Sequence, residues 1–352
     1  EPELDLDWHV TTAPGAPLDD AGFRAAVGEL MGERLDHRRP LWRLDVFALS
    51  GGRSGVVARI HHAMADGVSA IGLIGELLWD EPGETTPSPA LKPRVDASGG
   101  RLAGEARTLA RLPRTVRREL RRGEETPLDC HIGARREVAW RSFPLAELKR
   151  IEHAAGGGVT VNDVVLAAVA GALRSWFDAG GSRPHGLRAQ VPVSLHSRDE
   201  ARGEVGNRDS FLNVDLPLDE PDPMARLRMI SAETGEQKLD HDAETLYSFF
   251  HALGHFKPLY RGVTRITSGP REFALSVSNV PGPPRRVLVD AHAVEEFVSF
   301  AEPADRHALR LSIVSLGGEL AFGICSDPDA IADLEGLADA LTGALAELGG
   351  AR

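Results

Sequence analysis

Residues 54–78 switch hydrophobic period once, and that switch confines the chain to folds in which a strand feeds directly into a helix. Over residues 54–60, Val56, Ala58 and Ile60 fall on one face, which predicts a strand. From Val68 onward Ile71, Ile74, Leu77 and Leu78 recur at helical spacing, so a helix is expected to begin near Gly67. The junction reads His61-His62-Ala63-Met64-Ala65-Asp66-Gly67. His62 is expected where the chain leaves a buried strand, a rigid position with access to a cavity. A neutral imidazole there can take a proton from an alcohol attacking a carbonyl, because imidazoles titrate near pH ~6.5. Asp66 stands at the natural N-cap of the next helix, and Gly67 leaves the backbone free to turn. Taken alone, a His–His pair at a strand end is usually structural, and an Asp before a helix is usually its cap.

The same alternation of periods recurs downstream. Strands are expected at residues 136–143, 187–193, 211–216, 273–277, 309–314 and 320–324, with helices from Asn162 to about Phe177 and from about Ala330 to Leu348. Strands alternating with helices favour α/β layers. The longest apolar run, residues 164–173, is far short of the ~20 residues of a membrane span and reads as a buried core helix. Residues 81–100 are rich in Pro and Gly and read as linker. Arg101 to Arg122 is a basic helical stretch that Pro113 should kink, either a solvated outer helix or one that lies on an anionic lipid surface. At 352 residues the chain suits two domains: an N-terminal unit over 1–82, a linker and basic crossover over 83–135, and a C-terminal unit over 136–352.

Composition excludes several classes. A formal charge of −12 argues against nucleic acid as a partner. Two cysteines, Cys130 and Cys325, make no disulfide framework, and no signal peptide is visible. Ser54 follows Gly52, but Val56 occupies the glycine position of a nucleophile elbow. No phosphate-binding glycine motif occurs. His251 and His255 have the spacing of helical metal ligands but lack the adjacent Glu, so no metal is expected.

Three further stretches stand beside the histidine motif: Pro40-Leu41-Trp42, Asn162-Asp163 at the start of the apolar helix, and Ser278-Asn279-Val280-Pro281-Gly282-Pro283 at a strand end. Each has a structural reading. The first is a rigid strand entrance with a packed indole, the second a helix cap, the third a turn. The pattern His-His-x-x-x-Asp-Gly resembles the signature of the CoA-dependent acyltransferase superfamily, which includes chloramphenicol acetyltransferases and the condensation domains of peptide synthetases. The full ordered set resembles the wax ester synthase/acyl-CoA:diacylglycerol acyltransferase family over nearly the whole chain.

That resemblance implies an α/β (α+β) fold of two chloramphenicol-acetyltransferase-like subdomains, with mixed sheets and a substrate tunnel between them. It implies fatty acyl transfer from acyl-CoA, a co-substrate rather than a cofactor, to diacylglycerol or a long-chain alcohol. His62 would be the general base, with no acyl-enzyme; His61 would pack or orient. Asp66 would hold the loop through an arginine. Gly67, Asn162 and Asp163 would support the motif, with the Asn162 amide a candidate donor to the developing oxyanion. Pro40, Leu41, Trp42, Ser278 and Asn279 would line the tunnel. The family also implies a cytoplasmic enzyme held peripherally at a membrane or lipid-droplet surface. Its members carry a helix and a strand ahead of the stretch resembling Leu4 to Val10, so the first elements of the N-terminal subdomain are expected to be missing. Two alternatives remain open: a condensation-type or polyketide-associated acyltransferase, and a catalytically silent lipid-droplet-binding paralogue.

Overall fold

Two sheets of unequal size organise the molecule. The computed structural model describes residues 4–81, 126–181, 183–184, 187–194, 209–240 and 272–351. Most of the linker, the basic stretch Arg101 to Arg122, and His251 with His255 lie outside the described residues.

The smaller sheet has three strands in the order β1 (Val10–Thr12), β2 (Trp42–Ala48), β3 (Ser54–Ile60). β1 runs parallel to β2, and β2 antiparallel to β3. A short helix α1 (Leu6–His9) precedes β1, and α2 (Asp20–Gly32) joins β1 to β2. The predicted helix after the histidine motif is α3 (Gly67–Leu78). The predicted burial of β3 is corrected. Val56, on the face read as apolar, is 48% exposed, while Gly55 and Arg59 on the other face are buried. Arg59 tolerates the interior because Nε and Nη2 donate to Asp45 at 3.2 and 3.0 Å and Nη1 donates to Glu33 at 3.2 Å.

The larger sheet has six strands, in the order β4 (Glu137–Pro144), β11 (Glu319–Ser326), β10 (Leu309–Leu316), β7 (Leu275–Val280), β5 (Leu187–Ser194), β6 (Asp209–Leu216). It is mixed: β7 pairs in parallel with both β10 and β5, and the remaining pairs are antiparallel. Gly317 and Gly318, at φ 57° and 93°, form the two-residue turn between β10 and β11, a geometry that favours glycine. Strand parity assigns the layers. Leu309, Leu311, Ile313, Leu320, Phe322 and Ile324 join the main core with α5 (Val161–Ala179) and α7 (Leu334–Gly350). α4 (Leu145–Ala155) and α6 (Pro223–Asp240) complete that layer through Leu148, Ile151, Leu227 and Ile230. Val314, Leu316 and Ala321 face the other way, onto Ile71, Ile74, Leu78 and Trp79. Burial on both faces explains why these strands read as nearly continuous apolar runs.

α2 and α3 therefore dock on the face of the large sheet opposite α5. Gly28 and Gly32 permit the approach of α2: a Cβ on either would stand 2.7 Å from a backbone carbonyl oxygen, that of Arg136 or Ala134. A small hairpin, β8 (Leu288–Val289) with β9 (His292–Ala293), packs beside α3. Among the described residues, no helix is long and apolar enough to cross a membrane. An apolar void of about 10 Å³ between α5, α7 and the sheet, lined by residues such as Val169, Leu173, Leu309 and Leu341, offers a water no polar partner and is a packing gap.

Candidate active site

The chain leaves β3 at Ile60 and turns through the two histidines before α3 begins. The His61 backbone N–H donates to the Leu41 carbonyl at 2.9 Å, which joins Pro40-Leu41-Trp42 to the histidine turn. His61 Nδ1 accepts the Ala63 N–H at 3.0 Å, so the neutral ring carries its proton on Nε2. His62 is the reverse. Its Nδ1 lies 3.2 Å from the Ala65 carbonyl, which can only accept. The neutral His62 ring is therefore protonated on Nδ1, which leaves the lone pair on Nε2; the side chain is exposed, and no hydrogen bond to Nε2 occurs among the described residues. One turn thus holds its two imidazoles in opposite tautomers.

Asp66 is buried and caps α3, with Oδ1 accepting the Ser69 N–H at 2.8 Å. Arg59, the buried arginine of the preceding strand, is committed to Asp45 and Glu33. Gly67 opens α3 against β7: a Cβ there would meet Val280 Cγ2 at 3.0 Å. That contact brings the histidine motif to the Ser278-Asn279-Val280 stretch.

Ser278, Asn279 and Val280 belong to β7 itself, so the predicted strand end at residue 277 is corrected; the turn begins at Pro281. Pairing of Ser278 with Ser312 and of Val280 with Val314 carries the strand onward. The side chains alternate. Ser278 and Val280 face α3, with Ser278 Oγ 3.5 Å from Ser312 Oγ, and Asn279 faces the helical layer. Ser278 and Asn279 therefore line opposite faces of the sheet. Gly282 is required by close packing, because a Cβ there would stand 2.1 Å from the Ser315 carbonyl oxygen.

Asn162 and Asp163 occupy the first turn of α5, whose cap is Thr160. Asp163 is buried and completes a capping box: Oδ2 accepts the Thr160 N–H at 2.8 Å and the Thr160 hydroxyl at 2.9 Å. Its Oδ1 accepts the Thr234 hydroxyl of α6 at 2.7 Å. Asn162 is half-buried, and no hydrogen bond to its side chain occurs among the described residues. No hydrogen bond among the described residues links this pair to His62.

Sequence reading missed several supporting groups. His9 is buried, stacks on Trp42 at 4.3 Å, and its Nδ1 hydrogen-bonds with the Trp42 carbonyl at 2.8 Å. His37 meets His61 edge-on at 5.3 Å. His37 was signalled by its place three residues before Pro40; nothing local signals His9. Among the described residues no cluster of His, Cys, Asp or Glu has the geometry of a metal site.

Comparison with known proteins decides the family. The model of the wax ester synthase/diacylglycerol acyltransferase catalytic domain matches residues 1–118, and that of the WS/DGAT C-terminal domain matches residues 205–349. A candidate diacylglycerol O-acyltransferase of Mycobacterium bovis is 31% identical over 97% of this chain and 74% of its own length. The chain belongs to the wax ester synthase/diacylglycerol acyltransferase family. This acyltransferase superposes on the wax ester synthase/diacylglycerol acyltransferase of Marinobacter aquaeolei VT8 with a TM-score of 0.71, at 23% identity, over 98% of this chain and 80% of that one. The starter condensation domain of rhizomide synthetase, solved with C8-CoA and Leu-SNAC, is a more distant likeness. It has a TM-score of 0.58 at 14% identity, over 97% of this chain and 77% of that one. The two-domain, chloramphenicol-acetyltransferase-like fold with mixed sheets, expected from the sequence, is thereby shown.

Proposed function

We propose that this acyltransferase moves a fatty acyl group from acyl-CoA to the hydroxyl of diacylglycerol or a long-chain alcohol, with His62 as general base. The observation that carries the reading is the His62 tautomer: Nδ1 is engaged by the Ala65 carbonyl and Nε2 is left with its lone pair. Nε2 takes the hydroxyl proton as the oxygen attacks the thioester carbonyl. The carbon–sulfur bond then breaks, and the imidazolium returns the proton to the leaving CoA thiolate. Atoms balance without an acyl-enzyme. A positioned base contributes ~10²–10⁴-fold, and alignment of the two substrates contributes more. The half-buried Asn162 amide supplies a donor for the developing oxyanion. Asp66, Gly67 and Asp163 hold backbone, while Pro40, Leu41, Trp42 and Ser278 border the substrate tunnel and Asn279, turned to the helical layer, supports that strand end from behind. In this reading the functional units are 1–82 and 136–352, joined by 83–135.

The test is transfer from radiolabelled acyl-CoA to a panel of alcohols, diacylglycerol and amines. His62→Ala should lose transfer by about 10²-fold or more while melting as the wild type does. A variant that keeps most of its turnover removes His62 from the chemistry. Preference for an amine or a carrier-bound acceptor would instead favour a condensation-type enzyme, and no transfer at all a silent paralogue.

We further propose that the protein is cytoplasmic and works at a membrane or lipid-droplet surface, held by the arginines between Arg101 and Arg122. Each exposed Arg near an anionic surface contributes about 1 kcal/mol, an attraction that salt screens. Flotation with anionic liposomes should weaken at high salt, and also when Arg114, Arg117, Arg118, Arg121 and Arg122 become Gln. Unaltered flotation returns the stretch to a solvated outer helix.

A further inference from the structure

α3 is the element from which the histidine turn hangs; Ile71, Ile74 and Leu78 pack it on Val314, Leu316 and Ala321 of the large sheet, and each end has a further hold. At its start the hold is slight, a glycine against Val280. At its end the hold is elaborate. Trp79, buried, lies over Gly75 and meets Phe297 edge-on at 6.5 Å. The next residue, Asp80, donates its backbone N–H to the Leu288 carbonyl at 2.9 Å. Its carboxylate then accepts two more backbone N–H groups, Asp290 on Oδ1 and Ala291 on Oδ2, each at 2.7 Å. Asp290 and Ala291 form the turn between β8 and β9.

That turn has an unusual composition for its shape. Asp290 and Ala291 have φ of 49° and 62°, the left-handed region at both central positions. Asn-Gly satisfies such a turn without strain; Asp-Ala does not. Charge-assisted bonds from Asp80 to both turn amides oppose that strain. The carboxylate thus serves two parts of the fold: it shapes the turn, and it fastens the end of α3 to a hairpin of the other half of the chain.

We propose that Asp80 is a positioning residue, which sets the angle of α3 on the sheet and so fixes where His62 stands relative to the end of β7. The proposal rests on the acyltransferase reading. α3 is 12 residues long, about 18 Å from end to end. Its apolar residues Ile71, Ile74 and Leu78 lie on Val314, Leu316 and Ala321 of the sheet, so loosening the Asp80 end lets the helix slide on that face and carries the histidine turn with it.

Asp80→Ala should lower kcat by about ten- to a hundred-fold, the range expected when a reacting group shifts by about 1 Å, with KM for acyl-CoA little changed. Asp80→Asn keeps one acceptor and should fall between. The deciding variant combines Asp80→Ala with Asp290→Asn and Ala291→Gly, which makes the turn self-supporting. Its melting temperature should recover while kcat stays low. Hydrogen exchange over residues 67–78 should remain faster than in the wild type, a readout independent of activity. Recovery of kcat together with stability would show that Asp80 only shapes the hairpin and would overturn the proposal. So would wild-type kcat and wild-type exchange in Asp80→Ala. An inactive wild-type chain would count against the acyltransferase reading, and the exchange measurement would still decide the tether.

Discussion

Single side chains in this protein act mainly by where they fix the backbone. Asp66 and Asp163 were both legible as helix-start residues, yet they work differently. Asp66 is the cap itself, and Asp163 sits three residues inside, where it closes a capping box and reaches across to Thr234. Asp66→Ala should cost about 0.5–2 kcal/mol in urea unfolding, and Asp66→Asn less, because the amide oxygen still caps. Equal inactivity in both variants at full stability would point to a direct role instead. Asp163→Ala removes the acceptor of three hydrogen bonds from a buried site. A loss of about 2 kcal/mol or more is expected, with Asp163→Asn milder. The histidines were legible as a pair, but their opposite tautomers were not. Those depend on whether each Nδ1 meets a backbone N–H or a carbonyl, which only the folded turn settles.

Elements were legible wherever one hydrophobic period runs uninterrupted. The extents of β3 and α3 follow from their spacing, although β3 buries the face opposite to the one its spacing implies, and β10 and β11 follow from their apolar runs. α2, α4 and α6 carry mixed faces and were left unassigned. α2 shows why: its defining residues are glycines, which add no hydrophobic signal and matter only because carbonyls approach them. Gly28→Ala should therefore destabilise by about 1–3 kcal/mol, as overpacking against backbone does. Gly72→Ala in α3 is the matched contrast, since a Cβ there would meet nothing within 4 Å. It should stabilise by about 0.8–1 kcal/mol, the difference in helix propensity. Equal effects in the two variants, measured by urea unfolding, would refute the close approach of α2.

At the scale of the molecule, α2 and α3 weld the first half of the chain onto the second. Cys325 reports on that weld. It clusters with Val27 of α2 and with Val138, its cross-strand partner on β4, and burial pushes its thiol up to about 12. A neutral thiol held in the fold stabilises it fully below the ordinary value of 9.0. That contribution is lost as the pH climbs toward about 12. Thermal stability should accordingly fall above pH 9, and Cys325→Ser, which does not titrate there, should flatten the fall. At neutral pH Cys130, half-buried and raised by burial and by Asp327, should react slowly with a disulfide reagent. Cys325 should react only on unfolding. Early reaction of Cys325 would mean that α2 lifts from the sheet in the native state.

Sequence alone determined the layered α/β class, the strand–histidine–helix junction and the family, because period and motif are properties of neighbouring residues. Tertiary structure decided which face of β3 is interior, since Arg59 is neutralised by Asp45 and Glu33, 14 and 26 residues away. It sent Ser278 and Asn279 to opposite sides of one sheet, because β7 continues past residue 277 by pairing with β10. It also brought Asp80 to a turn 210 residues along the chain. Ion pairs, strand register and backbone approach depend on residues far apart in sequence, so no local window contains them.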